Sequence, residues 1–167
     1  MLRFEGAAAA ARRGARPIAR VAGFAHTQDA RGHSIRVDGT GLARAIHQAL
    51  ARAGTDPDGI DAVVAFGCGP APAVAAELAA LDAVFGGRAP PLTSAAGTVG
   101  YSPAALPLLS LAAGAAALER GSLFPCVTAV PRPGLVTGQP LDLPGLRRLL
   151  VVGTDATDVH MAAVLTR

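Results

Sequence analysis

The segment that most constrains the fold is the stretch from Ser94 to Gly121, SAAGTVGYSPAALPLLSLAAGAAALERG. It begins as a Gly/Ser/Thr loop, the kind that often lines an active site, and it continues into a predicted helix over 103–118. No charged residue occurs from Ala89 to Leu118. A helix that is apolar on all sides is buried in the middle of a multilayer structure or against a partner. One sheet with three other helices is too small to enclose it, so we expect something outside the chain to complete its burial.

The length of 167 residues predicts a single domain, 1–167. Hydrophobic residues make up 51% of the chain and the mean hydropathy is +0.40, but much of this is alanine. The longest apolar run falls short of the roughly 20 residues of a membrane-spanning helix and contains Pro103 and Pro107. The first residues lack the pattern of a secretory signal, so we expect no membrane partner and a cytoplasmic location.

The charge pattern favours a solvated surface. All 15 basic residues are Arg, and they are scattered along the chain rather than clustered. Aromatic residues make up only 4%, which argues against a base-stacking nucleic-acid surface. Some of the Arg side chains remain candidates to contact an acidic carrier protein.

Hydrophobic periodicity and Gly/Pro punctuation predict alternating helices and strands. The predicted helices are a lead-in helix within 5–16, then 39–54, 73–86 and 103–118. The predicted strands are 17–25, 60–66, 91–94, 147–153 and 159–166, with 126–130 extended and with loops over 26–38 and 131–145. This alternation predicts an α/β layered domain with a mostly parallel sheet, in which the last two strands form a hairpin.

Residues with reactive side chains form no compact site in the sequence. Cys68 and Cys126 show no CxxC spacing, and we expect both to pack as small residues. His26, Asp29 and His33 share one loop but do not supply the three or four convergent ligands of a metal site, so a solvated loop is expected.

The remaining motifs are equally uninformative about chemistry. His47 falls on the polar side of its predicted helix, and His160 lies near Asp158 without a nucleophile elbow elsewhere. The GCG and GTVG stretches match neither a P-loop nor GxGxxG. We therefore predict no metal and no cofactor.

Three stretches together resemble the C-terminal half of a β-ketoacyl synthase of the thiolase fold, and more narrowly a chain-length factor of type II polyketide synthases. They are FEGAAAAARRGARPIARVAGFAHTQDA, GLARAIHQALARAGTDPDGIDAVVAFGCGPAPAVAAELAALDAVFG and PLTSAAGTVGYSPAALPLLSLAAGAAALERGSLFP. The resemblance implies half of an αβαβα layered fold, with a mixed five-stranded sheet and helices on both faces. The apolar helix falls where this family places one of two central helices.

The chain departs from the family at its catalytic positions. Phe66 stands where active synthases carry a His, Ala96 where they carry a Lys, and Tyr101 where they carry a second His. The gating Gly-Phe-Gly-Gly loop corresponds to GTDATD, 153–158. The nucleophilic Cys of the family belongs to its N-terminal half, which the resemblance does not cover. Without a His at 66, Glu77 is interpreted as a charge at the start of a helix.

The resemblance therefore implies a non-catalytic ketosynthase-like subunit without catalytic residues of its own. Its partner would be a ketosynthase or a chain equivalent to the N-terminal half, with an acyl carrier protein engaged through the complex. The residues expected at the partner contact or the acyl cavity are Phe66, Cys68, Tyr101, Leu106, Leu109 and Leu111. Two alternatives stay open. One is an acyl-transfer or condensing enzyme, or an acyl-group binder, with altered chemistry at a site shared with a partner, using Tyr101, Cys68 or a Cys of the partner. The other is a fragment that associates with itself.

Overall fold

The computed structural model describes residues 3–29, 37–67, 71–102, 104–128, 134–155 and 159–167. The helices are α1 (Ala7–Arg12), α2 (Thr40–Ala53), α3 (Ala71–Phe85), α4 (Ala96–Val99) and α5 (Leu106–Arg120). The strands are β1 (Arg20–Gln28), β2 (Ala62–Val64), β3 (Leu92–Thr93), β4 (Ser122–Leu123), β5 (Leu141–Asp142), β6 (Arg148–Thr154) and β7 (Val159–Thr166). None of the helices in these ranges is long and apolar enough to cross a membrane.

The main sheet has five strands in the order β1-β7-β6-β2-β3, and β4 and β5 form a separate antiparallel pair. The pairs β2–β3 and β2–β6 are parallel, whereas β1–β7 and β6–β7 are antiparallel. The mixed five-stranded sheet and the C-terminal hairpin are thus confirmed. The prediction of a mostly parallel sheet is wrong, because the long first strand pairs with the last one across the whole chain.

Each face of the sheet has its own core, because alternate residues of a strand point to opposite faces. Leu150 and Val152 of β6 pack in the cluster that contains residues of α2 and α3. Leu149 and Val151 pack in the other cluster, with residues of α5. Helices on both faces are therefore confirmed, with α2 and α3 on one side and α5 on the other.

Helix α5 lies on the sheet through a stripe of small and apolar residues. Its buried residues are Leu106, Ser110, Gly114, Ala117 and Leu118, spaced at three or four positions. A Cβ atom at Gly114 would lie within 3.3 Å of three side chains of the sheet. The absence of a side chain there lets the helix approach the sheet closely.

Glycines mark the limits of α2, which was predicted to within one residue. Gly39 and Gly54 flank the helix in the left-handed region, with φ of 68° and 65°. The first strand was placed three residues too early, since its polar end, 26–28, continues the sheet. The described part of 126–130 forms no named strand, although the Cys126 amide donates to the Val136 carbonyl at 2.8 Å.

Candidate functional site

Phe66 follows β2 at the edge of the sheet where the parallel strands end, and it is buried, with 3% of its surface exposed. The carboxylate of Glu77 binds the backbone of this turn. Its Oε1 accepts from the Phe66 amide at 2.5 Å and its Oε2 from the Gly67 amide at 2.8 Å. Glu77 lies in the second turn of α3 and is only 3% exposed, so the interpretation as a helix-start charge is wrong. The side chain instead fixes the position of Phe66.

The Gly/Ser/Thr loop after β3 is hydrogen bonded to the same turn. The Ser94 hydroxyl donates to the Phe66 carbonyl at 2.9 Å and accepts from the Ala96 amide at 3.2 Å. Phe66, Ala96 and Leu106 belong to one small buried cluster. The loop that resembles an active site is therefore held in place by hydrogen bonds and apolar contacts.

Tyr101 stands beside this cluster with half of its surface exposed. Its ring meets the Phe66 ring edge-on, with centroids 6.3 Å apart and an interplanar angle of 82°. A phenyl ring cannot transfer a proton, and phenols are poor general bases at neutral pH. The positions of Phe66, Ala96 and Tyr101 thus come together in space, but their side chains supply no acid–base pair.

The other residues expected at a partner contact or cavity fall into different environments. Leu106 is fully buried, Leu111 is half-buried against the α5-side core, and Leu109 is exposed. Cys68 lies outside the described residues. A cavity of about 60 Å³ opens beside Glu77, Ser94 and Cys126 on the α3 side of the turn.

A buried polar cluster at the same edge of the sheet was missed by the sequence analysis. The His160 ring, 1% exposed, has Nδ1 2.6 Å from the Thr154 hydroxyl and Nε2 3.5 Å from Asp29 Oδ2. Arg44 donates to Asp29 Oδ1 at 3.0 Å. The expectation of a solvated loop is wrong for Asp29, whose side chain is about 10% exposed. Gly41 makes room for the cluster, since a Cβ there would collide with both Asp29 and His160.

His33 and Asp158, the other members of these two predicted groups, lie outside the described residues. Within the described ranges, no group of three His, Cys, Asp or Glu side chains could hold a metal ion. Thr154 and His160 of the polar cluster are buried, whereas the Arg44 side chain is 47% exposed. The cluster joins α2, β6 and β7 to the residue that follows β1.

One apolar surface of the sheet is left uncovered beside α5. Val21, Phe24 and His26 of β1 are exposed, and they pair with β7 residues that pack on the α5 side. Leu108 and Leu109 are exposed on α5 itself, at 54% and 41%. The three β1 residues are called the open face below. Neighbouring apolar residues exposed on the face of a sheet are a candidate interaction site.

Known proteins are similar to this chain both in sequence and in fold. Residues 18–129 match the family model described as "Beta-ketoacyl synthase, C-terminal domain". The chain is 36% identical over 132 residues to the "Actinorhodin polyketide putative beta-ketoacyl synthase 2" of Streptomyces coelicolor, covering 76% of this chain and 32% of the relative. It is 41% identical over 116 residues to a "Putative polyketide beta-ketoacyl synthase 2" of Streptomyces cyaneus, covering 68% and 27%.

Among solved structures, the ishigamide ketosynthase/chain length factor superposes with a TM-score of 0.88 and 26% identity. That match covers 97% of this chain and 41% of the longer one, and the chain spans about a third of the curated relatives' length. The thiolase-like fold expected from the sequence is therefore confirmed. The chain belongs to the β-ketoacyl synthase family and corresponds to its C-terminal domain.

Proposed function

We propose that the chain is a non-catalytic, chain-length-factor-like subunit that completes a ketosynthase complex of polyketide biosynthesis. In this proposal it docks against a complementary chain equivalent to the family's N-terminal half and helps to shape the cavity for a growing acyl chain. An acyl carrier protein would reach the complex through the ketosynthase. The single observation that carries the proposal is Phe66, buried and hydrogen bonded where active members carry a catalytic His.

The argument against catalysis rests on the chemistry of condensation. This reaction needs a thiolate nucleophile and donors for the developing negative charge. Phe66 and Ala96 have no side-chain donor, and the Tyr101 ring packs edge-on against Phe66. The same turn is held by the Glu77 carboxylate and the Ser94 hydroxyl. A rigid apolar group at this position suits the wall of a cavity rather than a reacting centre.

The argument for a partner rests on the open face. Helix α5 covers the β6 part of its side of the sheet, whereas Phe24 and His26 of β1 stay exposed there. A further helix, about 10 Å across, fits beside α5 over the outer strand.

Co-expression tests this proposal. A tagged version of the chain is produced with the part of the actinorhodin relative that precedes its matched region, and in parallel that part is produced with the relative's own matched region. We expect a 1:1 complex by mass measurement in both cases. Phe24→Asp on the open face should abolish it, whereas Gln48→Asp on the opposite side of the sheet should not.

Three results would contradict the proposal. The first is a stable monomer of this chain that does not bind the N-terminal part of the relative, although the relative's own matched region does bind it. The second is a dimer of this chain alone, which would favour self-association. The third is turnover that Tyr101→Phe abolishes without affecting assembly, which would favour an enzyme with altered chemistry.

A further inference from the structure

His26 is the titratable side chain of the open face. It lies on β1 between Phe24 and Gln28 on the α5 side of the sheet, and it pairs with Met161 of β7. The His26 and Phe24 rings are neighbours, with centroids 6.4 Å apart and an interplanar angle of 35°. In the free chain His26 is exposed, so its imidazole reaches water in either charge state.

Among the described residues of the two paired strands, no carboxylate compensates a proton on His26. On this side of the sheet, the described residues of β1 and β7 include no acidic side chain. Asp29, the nearest carboxylate along β1, binds Arg44 and approaches His160 on the other side of the sheet. From α2, the Arg52 guanidinium donates to the Phe24 carbonyl, so the charge it adds near this strand is positive.

We propose that the complementary chain seats an apolar, uncharged surface directly over His26, so that association requires the neutral imidazole. This inference rests on the proposed function, because it concerns the partner of the same open face. An imidazolium covered by apolar groups would lose its hydration without gaining a carboxylate. The neutral ring, in contrast, packs beside Phe24 as a second flat surface.

The consequence is an association that weakens as the pH falls. Histidine changes its charge between pH 5 and 8. When only the neutral form binds, each pH unit below the midpoint of that change weakens association up to tenfold. Between pH 8 and pH 5.5, we therefore expect a loss on the order of tenfold.

The experiment measures the dissociation constant of the co-expressed complex described above at pH 8 and pH 5.5. His26→Phe keeps a flat apolar ring and His26→Gln keeps a neutral polar group, and both should remove most of the pH dependence. His47→Gln is the matched control, since His47 is exposed on α2 on the opposite side of the sheet. It should retain the full pH dependence of the wild-type chain.

The outcomes separate this inference from the function on which it rests. Association that is equally tight at both pH values overturns the inference and leaves the proposed function intact. Tighter association at pH 5.5 also overturns it, because the partner would then present a carboxylate to His26. A pH dependence that persists in both His26 variants would come from another titratable group, and this result also overturns the inference. A chain that binds at neither pH overturns the proposed function together with the inference.

Discussion

Replacing Glu77 by Gln tests how firmly the turn at Phe66 is held. The two carboxylate oxygens accept from two different backbone amides, at 2.5 and 2.8 Å, and the side chain is 97% buried. Gln has nearly the same shape but one acceptor oxygen, so its amide group must face one of the two N–H donors. Losing a hydrogen bond to a charged group at a buried site costs about 1.5–3 kcal/mol. At 2–4 °C per kcal/mol for a chain of this size, we expect the melting temperature to fall by roughly 3–12 °C.

The assay combines thermal unfolding with hydrogen exchange of individual amides, on the purified chain or its complex. Glu119→Gln is the control, because Glu119 is exposed on α5 and its loss should change stability by less than about 0.5 kcal/mol. In Glu77→Gln, the amides of Phe66 and Gly67 should exchange faster than they do in the wild-type chain, and this increase should exceed that of neighbouring amides. An unchanged melting temperature with unchanged protection of these two amides would refute the assignment of Glu77 as the anchor of the turn.

Two further predictions concern packing and charge. A Cβ at Gly23 would lie 2.1 Å from the carbonyl oxygen of Ala49. Gly23→Ala should therefore lower the free energy of unfolding, measured in urea, by about 1–3 kcal/mol. Gly145→Ala is the control, because a Cβ there meets nothing within 4 Å and should be tolerated. Hydrogen bonds from Arg13 lower the pKa of Glu5 in the folded chain. The pair therefore stabilises the fold at pH values above the pKa of Glu5 in the unfolded chain, and this stabilisation is lost as the pH falls through its pKa in the folded chain. Arg13→Gln should raise the pKa of Glu5 in a carboxyl NMR titration, and an unchanged titration would contradict the contact.

Local signals in the sequence predicted the helices well and the first strand poorly. Gly54 ends α2 in the left-handed conformation that favours glycine, so this boundary is a property of one residue. The end of β1 is different, because Thr27 is buried while His26 and Gln28 are exposed. Polar residues at the edge of a sheet look like a loop when the pairing partner, β7, is more than a hundred residues away.

The candidate site shows the same division between local and long-range information. The lost catalytic positions could be identified because the resemblance aligned Phe66, Ala96 and Tyr101 with known motifs. The role of Glu77 could not, because the amides that it binds belong to a turn ten and eleven residues earlier. Likewise, the contact between Asp29 and His160 depends on the pairing of β1 with β7 and on the missing side chain of Gly41.

The hydrogen bonds around Phe66 bear on what the loop after β3 does. Surface turns that merely connect elements do not need a buried carboxylate and a buried hydroxyl, since water satisfies their backbone groups. Here Glu77 and Ser94 together bind the amide and the carbonyl of Phe66, although the phenyl ring performs no acid–base chemistry. A side chain that is held in place but carries no reactive group can form the wall of a cavity. It cannot act as a general acid or base. The hydrogen bonds that fix Phe66 therefore favour a role in shaping a cavity. The open face beside α5 supports a partner chain that helps to form the same cavity.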